Sequence, residues 1–296
     1  MKVIDLIAGI LVMALWGINF SVIKLGVSEI DPLLLTALRF TLVFFPIIFF
    51  VKKPDVSWLY LISYGLIFGI GIWGMGSWSI DAGLSVGMAS VLLQMNVVIG
   101  LFLGYLLLKE AISKQKLLGA FIAMLGLLVS LMVSDGSVTV MGFILILCAA
   151  LTWSVSSIIL KRSGTRHVFA FAIWSLLFAP LPLFLIVFFK GGSEPFTILT
   201  SGLNHRVIFS VLFQAYPVTL LGYWVWNRLL VKYPLTTVAP LTLLVPIFGL
   251  LGGAFFYQEQ IGLLKALACL LIISGLFIGL IRINFVTLHV LFFKKI

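Results

Sequence analysis

Charged residues interrupt this sequence only at wide intervals, and the stretches between them are apolar throughout. Uncharged runs cover 6–23, 56–80, 82–108, 117–134, 136–160, 168–189, 207–227 and 233–258. Two further runs, 32–51 and 261–281, each contain one cation, Arg39 and Lys265. A helix crosses the hydrocarbon layer in about 18–20 apolar residues, so each of the ten runs is long enough to span. None shows the short polar–apolar alternation of a membrane β-barrel strand. The pattern predicts an all-α, multi-pass membrane protein with ten transmembrane helices. Pro32, Pro54, Pro195 and Pro234 fall in the connections, where a missing backbone donor does least harm. The first run lacks a small-residue cleavage pattern and is expected to be retained as a span rather than removed as a signal peptide.

The pattern also repeats. Leu92, Gly100, Gly104, Glu110, Ile112 and Gly126 recur 149 positions later as Leu241, Gly249, Gly253, Glu259, Ile261 and Gly275. Trp16 and Lys24 recur 137 positions later as Trp153 and Lys161, and the long link at 190–206 accounts for the change of offset. Each copy holds five spans, which predicts repeats at 1–135 and 136–282. An odd number of spans turns the second copy upside down, and inverted repeats around a shared midplane are the architecture of alternating-access carriers. Residues 283–296 are too short to cross. Their aromatics and terminal lysines fit an interfacial helix, and a loosely ordered cytoplasmic tail fits equally well.

Composition agrees with burial in lipid. Of 296 residues 62% are hydrophobic and 9% charged, with a mean hydropathy of +1.27, against about 25% charged in soluble domains. The net charge of +10 and pI near 9.8 reflect no basic stripe and no nucleic-acid fold, so a nucleic-acid partner is excluded. They reflect orientation: with the N-terminus inside, thirteen lysines and arginines lie on the inner side, against Lys24, Lys190, Arg206 and Lys265 outside. That bias predicts an inner-membrane protein with both termini cytoplasmic, Glu110 at the inner face and Glu259 at the outer. Cys148 and Cys269 sit within apolar runs as packing residues, and His167, His205 and His289 have no metal-ligand spacing. No histidine and no pair of acids lies at depth, so neither an intramembrane enzyme nor a metal or other cofactor is expected.

Polar and aromatic groups deep in the runs are the candidate substrate contacts: Trp16, Asn19, Trp73, Ser77, Trp78, Gln94, Asn96, Trp153, Ser156, Gln214, Tyr216, Tyr223 and Thr242. A buried amide without partners is costly, so Asn19, Gln94, Asn96 and Gln214 should face protein or water. Trp58 and Trp174 read as interfacial belt residues. Gly100/Gly104 and Gly249/Gly253 read as small residues for close helix packing. Pro246 clashes with the carbonyl of Thr242 and kinks its span, leaving that carbonyl to a neighbouring helix, a water or a ligand. Arg39 is the only charge well inside a span. It either binds a substrate carboxylate or, the favoured reading, pairs with backbone carbonyls or snorkels outward. The acids lie near span ends, which argues against tight coupling through a buried carboxylate and for facilitation or exchange.

Several segments are similar to one family. WGINFSVIK at 16–24, LRF at 38–40, GMASVLLQ at 87–94 followed by Glu110 and Gly126, LGYWVW at 221–226 and VAPLTLLVPIFGL at 238–250 resemble the EamA family of the drug/metabolite transporter superfamily. The resemblance covers about residues 5–282, and these segments look most like the bacterial exporters of cysteine and O-acetylserine. It implies a ten-helix fold whose central cavity is lined mainly by spans 1, 3, 4, 6, 8 and 9. The expectation is a carrier of small polar metabolites in the lipid bilayer, amino-acid-like and outward. A nucleoside, nucleotide-like, sugar or drug substrate, and a non-gated channel, stand as alternatives. Oligomeric state is left open, a homodimer included.

Overall fold

The computed structural model describes residues 1–280, and among them the chain forms helices and no strands. Nine helices are long and apolar enough to cross a membrane: α1 (Val3–Val27), α2 (Pro32–Phe49), α3 (Trp58–Asp81), α4 (Val86–Leu108), α6 (Val140–Ser163), α7 (Val168–Gly191), α8 (His205–Lys232), α9 (Ala239–Tyr257) and α10 (Leu263–Leu280). The tenth, α5 (Lys114–Ser130), has 17 residues, about 26 Å at 1.5 Å per residue, the lower end of the range of spanning helices. The tail at 283–296 lies outside the described residues.

Helix starts are set by caps rather than by the last charge. Ser113 Oγ accepts the Lys116 N–H (3.3 Å), so α5 begins three residues before its uncharged run. Thr139 does the same for Gly142 (3.1 Å), which delays α6 past residue 136. Asp31 caps α2 through the N–H groups of Leu33 and Leu34 (2.8 and 3.2 Å), with Pro32 in the first turn, where its missing donor costs nothing. The link at 190–206 is not bare coil: it contains short helical turns at Glu194–Phe196 and Thr197–Ser201.

α5 and α10 pack backbone to backbone and antiparallel. A Cβ on Gly119, early in α5, would lie 2.4 Å from the carbonyl of Gly275, late in α10, and one on Gly126, late in α5, 2.8 Å from that of Ala268, early in α10. Lys114 and Lys265 therefore lie at opposite ends of the pair, as inverted copies require. The remaining helices surround a core built on α2 and α4, where Leu34, Leu35, Phe40, Met88, Ala89, Val91 and Leu92 are fully enclosed. Leu117, Phe121 and Leu128 of α5 point outward, as lipid-facing residues do.

Ion pairs sort to two faces. Asp5 meets Lys232 (2.6 Å), and Glu110 meets Lys161, at the N-terminal face. Asp31–Lys190 (3.0 Å), Glu29–Arg206 (2.9 Å) and Glu259–Lys24 (3.5 Å) tie helices together at the opposite face.

The α5–α10 contact yields a direct prediction. Gly275→Leu leaves no room for the side chain and should destabilise the protein by at least about 1–3 kcal/mol. Gly262→Ala, where a Cβ meets nothing within 4 Å, should be near neutral. Thermal unfolding of both variants in detergent checks this.

Candidate functional site

Two helices lose their regular pitch near the membrane centre. α3 widens to a π-helix at Ile67–Gly74 and α8 at Gln214–Leu221. Pro217 lies inside the second wide turn, where its missing N–H cannot serve the ladder. The two segments occupy corresponding positions in the third helix of each copy.

Between them lies a cavity of about 380 Å³. Trp16 and Phe20 of α1, Tyr64, Phe68 and Trp73 of α3, and Gln94, Asn96 and Val97 of α4 form one side. Trp153 and Ser156 of α6, Thr219, Tyr223, Trp226 and Asn227 of α8, and Thr242 and Val245 of α9 form the other. The first half of α7, from Val168 to Leu176, closes the wall. The rings form a continuous box: Trp16 is 5.3 Å from Tyr223 and 5.6 Å from Trp226, and Trp73 is 6.0 Å from Trp153. No charged residue belongs to the described wall. An apolar pocket of this size with a few convergent polar groups is a small-molecule site.

Access is one-sided. The lining reaches from the midplane to Leu160, Val168, Asn227 and Leu230, which lie toward the N-terminal face, and includes nothing from the opposite ends of these helices. That opposite face is shut. Glu259, just past α9, accepts the N–H groups of Val86 (2.7 Å) and Gly87 (3.0 Å) at the start of α4, and Lys24 from α1 lies 3.5 Å away. Lys265 approaches the same carboxylate at 4.0 Å, and Tyr257 Oη donates to the Ser21 carbonyl (2.8 Å). Nearby, hydrogen bonds from Arg206 and Asn204 hold the Glu29 carboxyl below the usual carboxylate range.

One glycine of each pair, Gly104 and Gly253, has a role beyond the packing expected of it. A Cβ at Gly253 would sit 2.4 Å from Glu259 Oε2, and one at Gly104 3.1 Å from Glu110 Oε2. Each glycine leaves the notch into which its glutamate folds back. The turn that brings it back is the same in both: Lys109 and Gln258 are left-handed (φ 54° and 53°), and each glutamate N–H donates to its glycine carbonyl at 3.2 Å. Gly249 retains a packing function, against Ser90 and Gly17.

The structure gathers Trp16, Trp73, Gln94, Asn96, Trp153, Ser156, Tyr223 and Thr242 at the cavity. It leaves five other candidates away from it. Asn19 is fully buried with neither amide atom partnered among the described residues. Ser77 is buried 3.3 Å from the Thr36 hydroxyl. Trp78 lies under Lys190 at the closed face. Gln214 accepts from Arg39 and donates to Ser210. Tyr216 is exposed on the outside of α8.

Arg39 neither snorkels nor takes backbone carbonyls, contrary to the favoured expectation. It is 1% exposed, donates to Thr219 and Gln214 side chains, and stacks over Trp73. Snorkelling is prevented because α2 is enclosed at this level by neighbouring helices. Thr219, Trp226 and Asn227 are wall residues that sequence reasoning missed. The LGYWVW segment pointed at Trp226, and Asn227 carries the same buried-amide signal as Gln94 but stands beside Arg228 at an apparent span end. The α7 wall is apolar and gave no polar signal at all.

Pro246, expected to kink its span, falls in the first turn of the α-helical part of α9 (Leu244–Tyr257). α9 opens as a 3-10 turn (Ala239–Leu243), and the Thr242 carbonyl that Pro246 cannot serve accepts from Gln94 Nε2 at 3.3 Å. Trp16 Nε1 likewise donates to the Val218 carbonyl in the wide turn of α8 (3.1 Å), and Gly222 makes space for the indole.

Comparison with known proteins agrees with this architecture. The profile of the EamA-like transporter family matches residues 4–132 and again 140–281, so the chain belongs to that family. It is 36% identical over 276 residues to a protein of Salmonella typhimurium named probable amino-acid metabolite efflux pump, covering 91% of this chain and 92% of the relative. It is 34% identical to an Escherichia coli protein of the same name, covering 93% and 94%. A solved structure with 17% identity superposes with a TM-score of 0.60 over 94% of this chain and 96% of that one, a likeness of fold alone.

Gln94→Leu should remove one of two donors on the Thr242 carbonyl, which keeps a backbone N–H from the 3-10 turn, and destabilise the protein by about 0.5–1.5 kcal/mol. Adding Pro246→Ala restores an intrahelical N–H for that carbonyl and should recover most of the loss. A double-mutant cycle of melting temperatures in detergent measures the coupling.

Proposed function

We propose that this member of the EamA-like transporter family carries small polar metabolites, amino acids or their derivatives, out of the cell by alternating access. The observation that carries the reading is a midplane cavity between α1–α5 and α6–α10, open toward one face and locked at the other by Glu259. The names of the two bacterial relatives support the direction and the substrate class. The excess of lysine and arginine on the N-terminal face supports a cytoplasmic placement of that face, which makes this state inward-facing in the inner membrane. The chain acts as a carrier, not an enzyme. Its cavity wall carries no carboxylate, which supports exchange or facilitation over proton coupling through a group at the site.

The repeat supplies the other state. Val86 and Gly87, whose N–H groups hold Glu259, correspond at the 149-residue offset to Leu235 and Thr236 at the entry to α9. Glu110 occupies the place of Glu259 and Lys161 that of Lys24, but here, among the described residues, the Glu110 carboxylate is bonded by Lys161 alone and is half exposed. In the outward-facing state Glu110 takes the N–H groups of Leu235 and Thr236, closing the cytoplasmic side, while Glu259 releases α4. Each lock is a carboxylate on backbone donors at a helix start, an arrangement favoured by the helix dipole.

Reconstituted protein tests the function. Liposomes loaded with an unlabelled amino acid should accumulate the labelled one by saturable counterflow. Flux without trans-stimulation would indicate a channel, and counterflow restricted to uridine or glucose would reject the amino-acid reading.

The locks predict an asymmetry. Glu259→Gln should lower the melting temperature of the detergent-purified protein, since hydrogen bonds to an ion contribute about 1.5–3 kcal/mol. Glu110→Gln should leave it nearly unchanged, because its exposed pair contributes little. Both should slow counterflow, since a full cycle uses both locks.

A further inference from the structure

Two cations are buried within the described spans, and they differ in one respect. Lys265 has the Glu259 carboxylate at 4.0 Å. Arg39 has no carboxylate within 4.0 Å among the described residues, and its partners are neutral: Thr219 Oγ1 accepts from Nε (3.3 Å) and Nη2 (2.9 Å), and Gln214 Oε1 accepts from Nη1 (3.3 Å). The Thr219 hydroxyl is committed as a donor to the Gln214 carbonyl (2.7 Å), which turns its lone pairs toward the guanidinium. Each of the three Arg39 nitrogens has an acceptor, but among the described residues only three of its five N–H groups are used and its charge is not offset.

That charge lies one layer behind the cavity. Thr219 and Trp73 both line the wall, and the guanidinium carbon is 4.2 Å from the centre of the Trp73 ring. Trp73 Nε1 is buried without a partner among the described residues. An ion held without a counter-charge in low dielectric is costly, and its field reaches neighbouring space with little screening. The cavity is the opening that the two neighbours of Arg39, Thr219 and Trp73, share among the described residues. On the far side, Gln94 gives one of its two Nε2 hydrogens to Thr242 and has Oε1 to accept.

We infer that the cavity selects solutes bearing a free carboxylate, seated against Thr219 and Trp73, with Arg39 as the specificity-determining charge behind them. The inference rests on the carrier reading above and narrows it: nucleosides, sugars and neutral drugs lack the group that offsets Arg39. Arg39 acts through the wall as a positioning residue, and the aromatic box takes the apolar part of the solute.

The test uses purified full-length protein and three forms of one amino acid. These are L-leucine, N-acetyl-L-leucine, which keeps the carboxylate and loses the cation, and L-leucine methyl ester, which does the reverse. L-cysteine and its methyl ester form a second pair, and uridine is a neutral solute. Thermal stabilisation and competition for counterflow should favour the free acids over the esters by on the order of tenfold or more. Arg39→Lys should keep that preference, and Arg39→Gln should erase it while still binding acid and ester alike. Equal potency of acid and ester on the wild-type protein overturns the inference, with no variant needed should Arg39→Gln fail to fold. A preference that persists in folded Arg39→Gln overturns the role of Arg39. If only uridine binds and exchanges, the amino-acid reading falls and the inference with it, an outcome distinct from acid and ester both being active.

Discussion

The seating of Glu259 on the first N–H groups of α4 is the contact on which this state of the protein depends. It joins the end of α9 to the start of α4, and through Lys24 to the end of α1, so helices from both copies meet at one carboxylate. Three separate features make it possible. Gln258 turns left-handed, Gly253 leaves a notch, and Gly87 lets the carboxylate come within 3.0 Å of its own nitrogen. The first copy preserves the turn and the notch around Glu110, but among the described residues no backbone N–H donates to its carboxylate. Two nearly identical motifs thus stand in opposite electrostatic circumstances, and that difference is what makes one face closed and the other open.

Much of this was legible in residue order. The spans followed from charge spacing because lipid penalises every unpaired polar group, so the boundaries of apolar runs and of helices coincide within a few residues. The repeat followed from a handful of identities because each has a backbone or electrostatic task. What stayed hidden was rotation. Tyr216 and Tyr223 are seven positions apart, nominally one face of an α-helix, and both read as pocket residues. The wide turn at Gln214–Leu221 places an extra residue between them, which turns Tyr216 by about 100° and sends it outward. Pro217 hinted at an irregularity but not at its kind.

Burial misled in a second way. Asn19, Ser77 and Gln214 are as deep and polar as expected, yet depth alone does not aim a side chain at the cavity. Ser77 and Gln214 serve contacts between helices, and Gln214 also helps hold Arg39. Trp78, by contrast, belongs to the closed face with Lys190. The apolar first half of α7 shows the converse: a wall residue needs no polarity to bound a pocket, so a search for polar groups passes over it.

Two of the contacts that bridge the copies at the cavity share one chemical form. Trp16 of α1 donates to a carbonyl in the wide turn of α8, and Gln94 of α4 donates to the carbonyl of α9 that Pro246 cannot serve. Each is a side-chain donor on an acceptor made available by an irregular turn. Breaking either one disrupts no helical ladder, since the backbone pitch was already interrupted there. Within the bilayer an exposed carbonyl must find another donor, and the nearest source beside an open cavity is water or an occupying solute with its own N–H groups. The midplane joints are therefore ones that a bound solute can replace, whereas the α5–α10 contact, built from close-packed glycine backbone, has no such substitute. Under the proposed alternating-access cycle, movement should therefore concentrate at the cavity and its two proposed locks, with the α5–α10 pair holding the halves together.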